Sequence, residues 1–354
     1  MDESIENKID KSKTMRMSNF ELLRIICMIF IITHHFAVHT YLSLSTPIFN
    51  FRVMNALTIG GKLGVNIYIL ISGYFLINSN FKIKKLIKLI LEIIFYTVLI
   101  YTILSLLGYA RFDITTFVRQ FFPIYKSQYW FMTYYIILYL LSPFLNKLLK
   151  NCNFKEFIIL ISILLIYQLD TPLSSPSFNM GELIWFITLY SIAAFIRLHP
   201  NKYMNKTIVW ILSFAVTFGL MFYFYTFHRE YIWGMTNLVC LIASVSLFLV
   251  FRNMNIKNNK IINLISSTTL GIYLIHDNVY IRENLWNNWF DVDKYALNDN
   301  FIIFAIITIM IVFIGCSIID FIRKIFEKLI LDKLIVNIEE KYIKKDDLDN
   351  TLVS

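Results

Sequence analysis

The sequence is short of the residues that make soluble, turn-rich or cross-linked proteins. Charged residues fill 16% of its 354 positions, against roughly 25% in a typical soluble domain, which is too little to dress a water-facing surface of this size. Ten glycines and six prolines leave little room for repeats of turns. Four cysteines are too few for a secreted disulfide scaffold. There is no Gly-x-Ser-x-Gly elbow, no His-x4-Asp box, no Walker loop and no dinucleotide-type glycine pattern, which argues against a soluble-type active site. What fills the space is apolar: 57% hydrophobic residues, 17% aromatics and a mean hydropathy of +0.61. That composition excludes disorder over most of the chain. It points to an all-α fold, a polytopic membrane helical bundle. The net charge of +9 would suggest nucleic acid as a partner of a soluble protein. In a membrane protein, Lys and Arg fix orientation and touch anionic lipid instead, so membrane lipid is the expected partner and nucleic acid is not.

A spanning helix needs ~20 mainly apolar residues. Such stretches lie near 19–40, 56–78, 86–108, 129–149, 156–170, 182–198, 207–227, 234–251, 261–280 and 300–322, predicting about ten transmembrane helices. The first is not read as a cleaved signal, because it lacks a small-residue cleavage site and carries Arg24, His34 and His35. Basic residues alternate between the intervening loops. One set comprises Lys8–Arg16, Lys82–Lys88, Lys147–Lys155, Arg197–Lys206, Arg252–Lys260 and seven residues from Arg323 to Lys345, which is 24 of the 33. The other holds Arg52, Lys62, Arg111, Arg119, Lys126, Arg229, Arg282 and Lys294. This bias predicts cytoplasmic N- and C-termini in a multi-pass inner or plasma membrane protein. Trp130, Trp185, Trp233, Trp286 and Trp289 fall at the expected outer boundaries, as an aromatic belt does. Three parts follow: a polar segment 1–17, a membrane domain 18–325, and a basic amphipathic helix with its tail over 326–354. The amphipathic pattern itself runs over 323–345 and is expected to lie on the inner leaflet.

Ionisable groups inside a membrane are costly and mark function by default. Arg24 and His35 are eleven positions apart in the first span. At ~100° per residue they share one face, ~16 Å apart along the axis. Glu21, one turn before Arg24, can pair with it. Snorkelling of Arg24 and a plain interfacial role for His35 are the bland alternatives. His34 points ~80° away from that face and is expected to have a different role. His35 and His39 are spaced to ligate metal, but with no third ligand nearby in sequence we expect no metal site. The cysteines read as packed small hydrophobes. The ninth span ends in His276 and Asp277, at the same membrane level as His35, where a carboxylate can fix a histidine's tautomer and raise its basicity; a polar interfacial cap is the alternative. The second span carries Gly60, Gly61, Gly64 and Gly73, with Asn66 and Ser72; the glycines read as close helix contacts. The run of lysines after it anchors to lipid or, alternatively, forms an anion pocket for a phosphorylated cofactor.

Arg24, ten residues, then His35 in an N-terminal span resembles the signature of the acyltransferase family 3 membrane proteins, bacterial enzymes that acylate surface polysaccharides and other envelope glycans. LISGYF at 70–75, YWFMTYYIILYLLSP from Tyr129 to Pro143, and TTLGIYLIH from Thr268 to His276 resemble that family's Ser-Gly, Trp-Phe and Tyr-Leu-x-His segments, and the likeness covers about 18–325. One departure is clear. Where members often carry two arginines three apart, this chain has Lys82 and Lys85, which keep the charge and lose the bidentate fork. The appended SGNH-type hydrolase domain of some members has no counterpart either.

The resemblance implies an O-acyltransferase that moves an acyl group, acetyl above all, from cytosolic acyl-CoA to a hydroxyl of an envelope or secreted glycan. His35 and Arg24 would be catalytic. Arg24, Lys82 and Lys85 would bind the donor, and His276, Asp277, Glu21, Ser72 and Trp130 would support the site. Acetyl-CoA is then a donor substrate, with no permanently bound cofactor, and the acceptor is a glycan or lipid-linked glycan. The rivals are a transporter or flippase, whose marks are paired broken helices and inverted repeats, neither expected from this sequence, and a non-catalytic part of a polysaccharide export complex.

Overall fold

The computed structural model describes residues 16–125, 128–168, 181–227 and 234–351, with side chains to 328. Every described element is helical. In chain order they are α1 (Ser18–Val38), α2 (Ile48–Leu57), α3 (Ile59–Leu76), α4 (Ile83–Leu106), α5 (Ile114–Arg119), α6 (Trp130–Asn151), α7 (Phe154–Gln168), α8 (Glu182–Leu198), α9 (Thr207–Phe227), α10 (Leu238–Asn253), α11 (Lys260–Ser267), α12 (Thr269–His276), α13 (Arg282–Asn284), a π-helical turn (Leu285–Trp289), α14 (Val292–Ala296) and α15 (Phe301–Thr351). Each of the ten apolar stretches therefore contains helix among its described residues. By length and composition, six are able to cross a membrane: α1, α2 with α3, α4, α6, α9 and the first part of α15. Their outward faces carry large apolar side chains such as Ile103, Val216, Ile306 and Ile311, the surface a lipid-facing protein needs.

Two apolar stretches are broken, contrary to the expectation of continuous spans. The break between α2 and α3 is at Thr58, and that between α11 and α12 at Thr268. The cause is the same at both. The threonine hydroxyl donates to the carbonyl three residues back, Thr58 to Asn55 at 2.6 Å and Thr268 to Ile265 at 2.8 Å. Each backbone amide donates to that same carbonyl, which tightens the turn and interrupts the α-helical ladder.

α1 joins two apolar cores. Phe20, Leu23 and Cys27 pack with α3, α8 and α10, while Met28, Ile31, Ile32 and Phe36 pack with α4, α6, α12 and α15. The α1–α3 approach depends on glycine. A Cβ at Gly60 would sit 2.8 Å from Phe30 Cβ, and one at Gly61 would sit 2.3 Å from His34 Cγ. Gly271 on α12 is likewise pressed against Asp320 of α15.

The expected amphipathic surface helix is not a separate element, because α15 runs without interruption from the membrane stretch to Thr351. No proline lies anywhere in it and no glycine follows Gly315, so nothing stops the ladder. Arg323, counted above among the loop cations, is 7% exposed. It donates to Asp320 at 2.7 Å, Glu327 at 2.8 Å and Glu92 of α4 at 2.8 Å, and Tyr96 donates to Asp320 at 2.8 Å. Losing one member of such a buried set costs ~3–5 kcal/mol, so it pins α4 to α15. Trp185 and Trp286, expected in an interfacial belt, are fully buried; the Trp185 indole N–H finds Asn66 Oδ1 at 2.9 Å, a satisfied polar tip that lets this ring go inside, whereas the Trp286 indole N–H has no hydrogen-bond partner among the described residues. Trp289 is exposed, and Trp233 lies outside the described residues.

Candidate active site

The helical spacing that puts Arg24 and His35 on one face of α1 has a physical counterpart: both line a single cavity of about 370 Å³ between the two cores. Its wall takes Glu21 and Met28 from α1, Lys62, Tyr68 and Ser72 from α3, Trp130 and Tyr135 from α6, Ser266 from α11, and Thr269 and Tyr273 from α12. Both helix breaks open onto it, Gly61 and Lys62 just past the first, Ser266, Ser267 and Thr269 around the second. Irregular backbone at membrane depth is tolerated where it lines a cavity, and the freed carbonyls are used. The Thr58 carbonyl accepts from His34 Nδ1 at 2.7 Å, and the Ser267 carbonyl accepts from Lys324.

At the Arg24 end, Arg24 donates to Glu21 Oε1 at 2.9 Å, the pairing expected from their spacing. Ser266 donates to the other Glu21 oxygen at 2.5 Å. Both Glu21 oxygens are thus occupied, while the Arg24 side chain keeps 31% exposure and its remaining guanidinium donors. Arg16 stands at the same end, its NH1 on the Asn263 carbonyl at 3.1 Å. Tyr68 donates to the Arg24 carbonyl at 2.8 Å. Ser72 donates to the Tyr68 carbonyl, also at 2.8 Å, so this cavity-lining hydroxyl is spent on its own helix.

At the His35 end the geometry fixes protons. The Ile272 carbonyl can only accept, and it lies 2.6 Å from His276 Nδ1, so that nitrogen carries hydrogen. Neutral His276 then presents Nε2 as an acceptor. His35 Nδ1 lies 2.9 Å from it and donates. The ring nitrogen left to His35 is Nε2 with its lone pair, on a residue that lines the cavity. His276 is wholly buried and Asp277 is 4% exposed. Asp277 Oδ1 is 3.6 Å from His35 Nδ1, 3.4 Å from His39 Nε2 and 3.8 Å from Arg282 NH1, so a negative charge faces the imidazole pair. The segment after α12 closes this end: Asn287 donates to the His39 carbonyl at 2.8 Å and accepts the Tyr41 amide at 2.8 Å, and Trp286 packs edge-on against Phe36.

His35, His39 and Asp277 offer three ligand atoms within 4.8 Å of one another. Asp277 is the third ligand missing from the sequence reading, because it lies 242 positions from His35 and is brought in by the α1–α12 packing. By donor type the set suits a divalent transition metal, but ligation through His35 Nδ1 would break its bond to His276.

The remaining expected site residues divide cleanly. Trp130 and Ser72 line the cavity. Lys82 and Lys85 are exposed and off its wall, and the Lys82 backbone is engaged by Tyr139 Oη. Arg16, Tyr273 and Lys62 also line the cavity and are not among the expected site residues. Lys62, expected in an outer loop, falls inside the second apolar stretch and is a half-buried residue of α3.

No curated protein and no solved structure matches the chain. The sequence model of the family described as an acyltransferase domain matches residues 17–320, a span that contains both ends of the cavity and every histidine around it. The chain belongs to that family, acyltransferase family 3, and is a multi-pass membrane acyltransferase.

Proposed function

We propose that the protein transfers an acyl group, acetyl above all, from acetyl-CoA to a hydroxyl of a cell-envelope or secreted glycan, working from the inner or plasma membrane. The observation that carries this reading is the hydrogen-bond chain from the Ile272 carbonyl through His276 to His35, which leaves Nε2 of the cavity-lining His35 free to act as a base. In the proposed step His35 Nε2 takes the proton of the acceptor hydroxyl, and the oxygen attacks the thioester carbonyl carbon. The C–O bond forms as the tetrahedral intermediate, and its collapse breaks the C–S bond. The thiolate leaves with the proton held by His35, so ester and free CoA are the products. Asp277 stabilises the transient imidazolium, in the way that a carboxylate beside a catalytic histidine does.

The donor enters at the Arg24 end in this reading. A thin pantetheine arm suits a long cavity, and Arg24 and Arg16 meet its polar groups. Lys82 and Lys85, being off the wall, would touch donor phosphates only if the nucleotide stays outside on the basic face beside α4. That orientation belongs with ten crossings and both termini in the cytoplasm, supported by the bias in basic residues. The two broken helices are a feature shared with transporters; here they open a cavity that holds a fixed base.

The test is turnover of acetyl-CoA by the purified protein. His35→Ala is expected to lower turnover by ~10²–10⁴. His34→Ala removes the donor on the Thr58 carbonyl and is expected to cost folded protein far more than rate per folded molecule. Equal turnover by His35→Ala and wild type removes His35 from the chemistry.

A further inference from the structure

Lys62 is a cation within a spanning stretch, and such charges are rare unless something answers them. It lines the same cavity as His35 and sits one residue after Gly61, which packs on the His34 ring. Among the described residues it has no ion pair and no hydrogen bond; Glu182, the carboxylate whose field reaches it from α8, makes no ion pair with it. The buried carboxylates on and near the cavity are matched: Glu21, on its wall, is held by Arg24 and Ser266, and Asp277, behind His35, faces His35, His39 and Arg282.

A second source of positive potential coincides with Lys62. It lies in the first turn of α3, an eighteen-residue helix whose N-cap, Thr58, supplies no side-chain cap. The Thr58 hydroxyl is turned back to Asn55, and its carbonyl takes the His34 proton. The positive end of the α3 dipole therefore opens at the break, beside an ammonium and in a largely apolar wall where a charge–charge contact is little screened.

We propose that Lys62 and the N-terminus of α3 form an anion subsite, so that the group meeting His35 carries a carboxylate or phosphate. This rests on the reading of His35 as the base. The anion has two possible bearers: the acceptor, as a uronic acid or polyol phosphate next to the reacting hydroxyl, or the acyl group, as a dicarboxylic acyl such as succinyl. The shared chemistry is a negative charge held in the same cavity as the reacting centre.

The test uses the full chain in nanodiscs. Acetyl-CoA or succinyl-CoA is the donor; methyl glucoside, methyl glucuronide or glycerol phosphate is the acceptor. If the acceptor bears the anion, the wild type prefers methyl glucuronide or glycerol phosphate over methyl glucoside by roughly tenfold in kcat/KM. If the acyl group bears it, the preference is for succinyl-CoA over acetyl-CoA. In either case Lys62→Met abolishes the preference, Lys62→Arg retains it and Lys62→Glu inverts it. Binding is read separately on the His35→Ala protein, as the shift in unfolding temperature caused by methyl glucuronide, glycerol phosphate or succinate against methyl glucoside. Anion-specific stabilisation that disappears on adding Lys62→Met supports the subsite even where no turnover is seen, a result that would count against His35 chemistry alone. A wild type with no preference on either arm and no anion-specific stabilisation overturns the subsite and leaves the base intact. So does a preference that survives Lys62→Met.

Discussion

Asp277 faces three cationic or protonatable groups, at 3.6 Å from His35, 3.4 Å from His39 and 3.8 Å from Arg282. A base that needs its neutral form loses activity as falling pH protonates it. Asp277→Asn removes negative charge from beside that imidazole, so the protonated form loses support. The acid limb of the pH–rate profile should then move to lower pH, with kcat at the plateau reduced about tenfold or more. A limb that stays in place would mean that Asp277 acts on His39 or Arg282 and not on His35. Metal offers a further check on the same residues. Because ligation would take the His35 nitrogen that already bonds His276, turnover should survive exhaustive treatment with a chelator, and loss restored by zinc would reassign the cluster. Most of this site was legible at the residue scale. An eleven-residue interval on a helix brings Arg24 and His35 to one wall, and a three-residue interval pairs Glu21 with Arg24. What sequence could not supply is the link from His35 to His276, which depends on how α12 docks against α1. Lys62 is masked in the sequence for a different reason: a lone charge near the end of an apolar run has the same pattern as a loop cation.

Helix against helix, glycine sets the spacing. At Gly271 a Cβ would fall 2.2 Å from Asp320 Cγ, and that carboxylate cannot move away, because Tyr96 and Arg323 hold it. Gly271→Ala is therefore expected to destabilise the protein by ~1–3 kcal/mol or more, the cost of overpacking a fixed neighbour. Gly315, on α15, has nothing within 4 Å of its would-be Cβ. Gly315→Ala should be neutral or stabilising by up to ~1 kcal/mol, through helix propensity. Thermal unfolding in detergent measures both, and equal effects would remove the steric account. The helices themselves were legible because apolar runs of this length have few alternatives in lipid. The breaks at Thr58 and Thr268 were not, since a threonine within such a run usually bonds back to its own helix without interrupting it. Here the interruption is held open by groups far away in sequence: His34 for the first, Ser317 and Lys324 for the second.

For the molecule as a whole, the bias in basic residues makes a topological prediction. Cysteines placed at Asn80 and Asn258, in a background lacking the four native ones, should be shielded from an impermeant thiol reagent in intact cells and labelled after permeabilisation. Labelling of either in intact cells would reverse the orientation and with it the assignment of the donor end. The last helix adds a mechanical consequence. Fifty-one uninterrupted residues at ~1.5 Å each make a rod of ~76 Å, more than twice the ~30 Å of a hydrocarbon core. No tilt within the ordinary range hides such an excess, so the distal part must stand clear of the bilayer like a mast, footed where Arg323 and Asp320 clamp it to α4. Spin labels at Ile303 and Lys345 should then report a separation of ~63 Å that is the same in detergent and in lipid. A markedly shorter distance in lipid would show the mast folding down onto the membrane surface.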